Sequence, residues 1–391
     1  MFQSSLASLR VPGNIKSLDG LRAMAILLVL VTHICQRIPG VSFVFWNTEW
    51  ATPLYNGWMG VDLFFVLSGF LIGSLIIKSL NNNSFSVVSF YRHRFFRILP
   101  AYFFMILLII CVKGLLSPVH TGFLPEFNIK TIIMNVALLT DYIPANLGLT
   151  SWSLSIEEHF YLLLPCFFIF FRKTETRVKA CLILIFSALL FRMLTYRFFS
   201  IGDASPIESV MHLIYMPFHD RMDALSVGVL IALLENTTKN AVSENGIPRL
   251  VSCCLGLLLV GFVFVSGALQ GGFFYTTIQY SLVCLGFGGL LWGVLGRASE
   301  NKVQAFLSRP IWVPIARISY SVYLTHYVTI AALSYFFSLK LWMFFFILIF
   351  CLLAALPLYL FIEYPCHQFS KKQVTRRKEP LGEPLGALEN N

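Results

Sequence analysis

Residues 18–34 read LDGLRAMAILLVLVTHI, an apolar helix that carries Arg22 and His33 eleven residues apart. Eleven residues at 100° each bring the pair back to one helix face, about 20° apart and separated by roughly 16 Å of rise. That rise is about half the thickness of a hydrocarbon core. Ionisable groups are costly at such depth and mark pathways or reactive sites. One helix thus carries a cation towards one membrane surface and a proton-transfer group deep inside.

Outward from this stretch the whole chain is apolar. Of 391 residues, 57% are hydrophobic and 12% charged, against about 25% charged in soluble domains. The expected fold is an all-α integral membrane protein with about ten spans, near 20–39, 59–78, 98–117, 151–171, 178–199, 218–235, 250–268, 276–296, 311–332 and 341–362. The 38 Phe and 15 Tyr suit lipid contact and interfacial belts. Residues 129–147 are apolar but short and interrupted, as in a re-entrant or interfacial helix. The first apolar stretch lacks a following small-residue cleavage site and is expected to be retained.

Charge sets the expected orientation. With a cytoplasmic N-terminus, 20 of the 29 Lys and Arg fall on that side, five of them in the tail (Lys371, Lys372, Arg376, Arg377, Lys378). Arg37, Lys130 and Lys340 fall outside. Both termini are therefore expected in the cytoplasm, with a membrane domain over 1–370 and a basic, disordered tail over 371–391. The +10 net charge is explained by these loops and gives no reason to expect a nucleic-acid partner. Nine scattered cysteines without CxxC spacing indicate neither a disulfide framework nor a metal site. There is no Walker-type loop and no GxGxxG; Gly69 and Gly73 suit close helix packing.

In this topology His33, Asp62, Glu157, Asp223 and His326 fall in the outer half, and Arg22 and Arg317 nearer the cytoplasm. Asp62 and Asp223 can equally start helices or pair with arginines, and a buried His can bond one helix to another. Glu157 shares a face with Ser153 and Tyr161, whereas Glu158 points 100° away. The stretch SFYRHRFFRILPAY places Arg92, Arg94 and Arg97 at the inner surface, as a lipid anchor or an anion site, with Arg94 and Arg97 on one face.

At these residues the chain resembles the acyltransferase 3 family of integral membrane acyltransferases, which includes O-antigen and exopolysaccharide acetylases. LDGLRAMAILLVLVTH, GVDLFFVLSGFLIG, FYRHRFFRILPAYF, SWSLSIEEHFYLLLP, RMDALSVGVLIA, ISYSVYLTHY and IEYPCHQ carry the resemblance, in the family's order. His159 departs from it, since glutamine is commoner there, and the chain has no room for the extracytoplasmic domain of some relatives. The resemblance implies transfer of an acyl group, usually acetyl, from cytoplasmic acyl-CoA to a hydroxyl of an extracytoplasmic sugar, free or lipid-linked, in a bacterial inner membrane. Acetyl-CoA would be a substrate, with no bound cofactor. Arg22 and His33 match the family's Arg-x10-His pair, Arg94 and Arg97 its RxxR element, and Glu157 its acidic position.

These matches predict that the donor's phosphates dock on Arg94 and Arg97, with Arg92 nearby, and that its arm passes Arg22 to bring the thioester to His33. His33 would act as general base or carry the acyl group itself. Glu157 would orient an imidazole or stabilise its cation, and Tyr161, Ser68 or a helix-end amide would stabilise the oxyanion. Asp62, Asp223, Arg317 and His326 are supporting candidates. The competing expectations are a transporter or flippase, which buried charge also suits, and a structural subunit of an envelope-assembly complex.

Overall fold

The computed structural model describes residues 15–39, 44–45, 48–49, 54–115, 121–202, 205–238, 246–266, 272–295 and 302–370. The expected tail 371–391 lies outside the described residues, as does Arg10. The ten long helical stretches are α1 (Lys16–Cys35), α2 (Met59–Asn81), α3 (Val87–Leu115), α4 (Ser151–Phe170), α5 (Thr174–Phe198), α6 (Phe218–Thr238), α7 (Gly246–Val265), α8 (Gln279–Val294), α9 (Trp312–Phe336) and α10 (Leu341–Ser370). A two-residue antiparallel pairing of Val44–Phe45 with Thr48–Glu49 is the strand content among the described residues.

Eight of these segments are long and apolar enough to cross a membrane. The other two, α6 and α9, are 21 and 25 residues long and carry polar side chains along the helix. The expected short element is the eight-residue helix Ile129–Val136, whose Asn128 cap accepts from the Thr131 N–H at 3.0 Å.

Close approach of α2 and α6 follows from glycine. A Cβ on Gly69 would lie 2.0 Å from the Leu225 carbonyl oxygen, and one on Gly228 would lie 2.2 Å from that of Val66. The two backbones therefore touch, as the small-residue spacing predicts. Among the described residues three π-helical turns interrupt the regular ladder, at Met211–Tyr215, Phe274–Ile278 and Tyr359–Glu363. Such turns are common at functional positions.

The apolar interior divides in two. The larger cluster joins α2, α3, α4, α6 and α8, and α1 contributes Leu18, Leu21, Ala25 and Val29. A smaller one joins α9 and α10 to Ile26, Leu30 and Ile34 of α1. The first helix therefore packs into both clusters, and its ionisable residues sit along the seam between them. Exposed Phe186, Leu162, Ile247 and Phe345 cover the outside, as a lipid-facing surface requires.

Candidate functional site

The seam brings together two histidines 293 residues apart in sequence: His326 Nε2 lies 3.2 Å from His33 Nδ1. Their ring centroids are 5.0 Å apart with a 47° tilt. The packing of α1 on α9 makes this contact. His326 is fully buried and His33 keeps accessible surface.

The bonding pattern fixes the proton positions in the neutral pair. His326 Nδ1 lies 2.7 Å from the Tyr323 carbonyl oxygen and 3.2 Å from that of Val322. Carbonyls only accept, so Nδ1 carries the hydrogen and Nε2 is left as an acceptor. His33 Nδ1 must then donate to it, and the Val29 carbonyl reaches the same ring. The proton assignment follows from the network. It leaves the lone pair of His33 on Nε2, available as a base or nucleophile.

Below this pair, α2 and α4 meet through Glu157. Ser68 Oγ donates to Glu157 Oε1 at 2.7 Å, and Tyr161 OH donates to Oε2 at 3.2 Å. Sequence expectation had Glu157 orienting an imidazole; instead its carboxylate holds two hydroxyls, and His326 holds the imidazole. Both hydroxyl protons are committed, so in this arrangement neither Ser68 nor Tyr161 has a donor left for an oxyanion. The expected Ser153–Glu157–Tyr161 row is interrupted as well, because the Ser153 hydroxyl bonds to that of Tyr323. Tyr323 also donates to the Thr150 carbonyl at 3.2 Å, and its ring lies 5.6 Å from that of His326.

The basic residues gather at the far end of α1 from His33. Arg94 is buried, its guanidinium 5.5 Å from the Tyr161 ring centre. Arg22 is within electrostatic reach of Arg94, Arg97 and Tyr161. Arg97 is exposed, and Arg92 is half-buried with an unpartnered Nε, as is Nε of Arg94. Glu363, from the π turn of α10, accepts from Ser321 Oγ at 2.5 Å and lies within electrostatic reach of Arg97. Arg317 is half-buried on α9, within electrostatic reach of Tyr359. Glu158, expected to face elsewhere, is half-buried and within reach of Arg94.

Asp62 and Asp223 do not join the histidines. Asp62 accepts from Arg221 Nη2 at 2.5 Å, and Asp223 from Arg192 Nη2 at 2.7 Å. All four side chains are at most 1% exposed. Arg221 lies between the rings of Tyr215 (4.8 Å) and Tyr280 (4.6 Å). Arg192 also bonds Ser281 Oγ at 2.6 Å and the Thr277 carbonyl at 3.1 Å. These are ion pairs that tie α2, α5, α6 and α8 together. The convergence of five ionisable residues expected from depth is thus two separate assemblies, because the arginines capture both aspartates.

Sequence reasoning did not single out Arg192, Arg221, Tyr323 or Glu363. Arg192 had a signal, as a lone cation well inside an apolar span. The others required knowledge of which helices are neighbours. Among the described residues no group of His, Cys, Asp and Glu is arranged to hold a metal ion.

A family described as an acyltransferase domain matches residues 15–360. The peptidoglycan O-acetyltransferase OatA of Listeria monocytogenes is 32% identical over 179 residues, covering 43% of this chain and 26% of that protein. An uncharacterised protein of Haemophilus influenzae is 31% identical over 52% of this chain and 86% of its own length. The O-acetyltransferase OatA of Staphylococcus aureus is 26% identical over 81% of this chain and 50% of that protein. The chain thus spans from about a quarter to about half of the OatA proteins it matches. No solved structure matches it.

Proposed function

Since the chain belongs to the acyltransferase domain family, we propose that it is a membrane O-acetyltransferase, moving acetyl from cytoplasmic acetyl-CoA to a hydroxyl of an extracytoplasmic carbohydrate. The observation that carries this reading is the His33–His326 pair, with the His33 lone pair on Nε2, and the Arg22 cation at the opposite end of α1 within electrostatic reach of Arg94 and Arg97 of α3. The charge asymmetry of the loops puts those cations on the cytoplasmic side and His33 in the outer half. In this reading ten helices cross a bacterial inner membrane, with both termini in the cytoplasm. The acceptor is carbohydrate, presented free or on a lipid carrier.

The donor's phosphates sit on Arg94 and Arg97, with Arg92 beside them, as charge-assisted bonds favour. The pantetheine arm runs along the α1 seam past Arg22, delivering the thioester to His33. His33 Nε2 takes the proton of the acceptor hydroxyl as its oxygen attacks the thioester carbonyl. The C–S bond breaks, and the proton passes from His33 to the departing thiolate. His326 holds the tautomer that this requires.

The test is acetyl transfer from labelled acetyl-CoA to envelope glycan fragments by the purified protein in lipid. His33→Ala is expected to lower transfer by at least about 100-fold, within the usual range for a general base, with unchanged thermal melting. Full activity in that variant removes His33 from the mechanism. Labelled acetyl retained on the protein without acceptor would make His33 the nucleophile instead. Arg94→Ala with Arg97→Ala is expected to raise KM for acetyl-CoA at least about tenfold and leave acceptor KM unchanged. Equal loss for both substrates would move the phosphates elsewhere.

A further inference from the structure

Arg37 is one of the basic residues that the charge asymmetry leaves on the outer side, and the mechanism above does not use it. It lies four residues beyond His33 in the sequence. The helix ends at Cys35, and the Arg37 N–H donates to the Ile34 carbonyl at 3.1 Å in the turn that follows. Its exposed side chain turns back to Tyr327: Nη2 lies 3.4 Å from the Tyr327 hydroxyl, and the guanidinium carbon 5.7 Å from the ring centre. The same ring meets His33 edge-on at 5.7 Å. Arg37, Tyr327 and His33 therefore form one continuous wall. A pocket of about 290 Å³ opens beside it, bounded by Arg37, Ser334, Tyr335, Phe336 and Leu339, near the lower end of small-molecule sites.

Among the described residues no carboxylate pairs with Arg37, and its hydrogen bond to Tyr327 is long. Among the described residues its only side-chain hydrogen-bond partner is the Tyr327 hydroxyl, which leaves a planar fork suited to the paired oxygens of a carboxylate or phosphate. A pocket lined by Arg37, serine and aromatic residues, with the Tyr327 ring leading from Arg37 to His33, suits an acidic sugar. We propose that Arg37, braced by Tyr327, binds an anionic group on the carbohydrate acceptor and so selects acidic over neutral sugars. The Tyr327 ring, 5.7 Å from the guanidinium and 5.7 Å from the His33 ring, spans the interval between that anion and the hydroxyl presented to His33. The inference rests on the acyl-transfer reading for the identity of the ligand as acceptor, but the binding preference itself is measurable without any transfer.

The experiment uses the full chain in detergent and three soluble probes: methyl glucuronide, glucose 1-phosphate and methyl glucoside. Binding is read by thermal stabilisation across a concentration series, and transfer by label from acetyl-CoA. The wild-type protein is expected to bind at least one anionic probe about tenfold more tightly than methyl glucoside, the usual scale of a charge-assisted bond. Which anion is preferred tells a sugar carboxylate from a glycosyl phosphate. Arg37→Gln should bring the ratio close to one while leaving melting and acetyl-CoA binding unchanged; Arg37→Lys should retain part of it. Equal binding of all three probes by wild type, or an undiminished ratio in Arg37→Gln, overturns the proposal and leaves Arg37 as a membrane-surface anchor. His33→Ala should keep the anion preference. Preference without transfer in wild type would sink the acyl-transfer reading alone, and transfer without preference would sink the Arg37 site alone.

Discussion

Two imidazoles in contact behave differently from one. A lone buried histidine has two neutral tautomers, only one of which leaves Nε2 as a base. The carbonyls of Val322 and Tyr323 remove that freedom at His326, which in turn removes it at His33. This makes a specific prediction. In His326→Gln an amide oxygen can still accept from His33 Nδ1–H, whereas His326→Ala leaves nothing there. Acetyl transfer by the glutamine variant should exceed that of the alanine variant by at least about tenfold, near the worth of one buried hydrogen bond, with acetyl-CoA binding equal in both. Equal rates would reduce His326 to a packing role. His33 was legible in the sequence because Arg22 shares its helix face; its partner was not, because pairing across 293 residues depends on which helices touch. Arg37 was legible only as an exception to a charge rule.

At the scale of elements, charge and small residues do the joining. Helices α2 and α6 meet at Gly69 and Gly228, and the same two helices are crossed by the Asp62–Arg221 pair. Removing one member of a fully buried pair leaves an uncompensated charge, costing about 3–5 kcal/mol. Arg221→Met should therefore lower the melting temperature in detergent sharply. The double replacement Arg221→Met with Asp62→Leu should recover most of that loss, since apolar replacement of a whole pair is often neutral. No recovery would mean that Asp62 does more than neutralise Arg221. The Gly69 spacing announced close packing in advance. The aspartates were legible as intramembrane acids, but nothing in GVDLFFV or RMDAL tells a pairing aspartate from a reacting one. That distinction comes from Arg192 and Arg221 reaching in from α5 and α6. The π turns were not legible either, since one extra residue in a turn leaves no mark on apolar periodicity.

At the scale of the whole molecule, all ten expected segments are helical, because sustained apolar runs must satisfy their backbones internally. Eight meet the length and apolarity needed to cross a membrane; α6 and α9, which carry Arg221, Asp223 and His326 among their polar side chains, fall outside that group. The proposed ten crossings predict that a fluorescent reporter fused after the last residue stays cytoplasmic, and that a single cysteine at Ser338, between α9 and α10, reacts with an impermeant thiol reagent from outside in a background lacking the native cysteines. A Ser338 cysteine that reacts from the cytoplasmic side would invert the orientation, and with it the direction of transfer.

The contact between His33 and His326 also has a history in time. A ribosome adding about 5–20 residues per second needs on the order of 15–60 s to pass from the first of these histidines to the second. Throughout that interval α1 waits in the membrane for its partner, and the imidazole has only the Val29 carbonyl of its own helix beside it. A nascent or truncated chain lacking α9 therefore lacks the poised base, however well its earlier helices have folded. The completed pair therefore exists only once one of the last helices has docked against the first, and under the proposed acetyl transfer the activity of this chain is a property of its final assembly step.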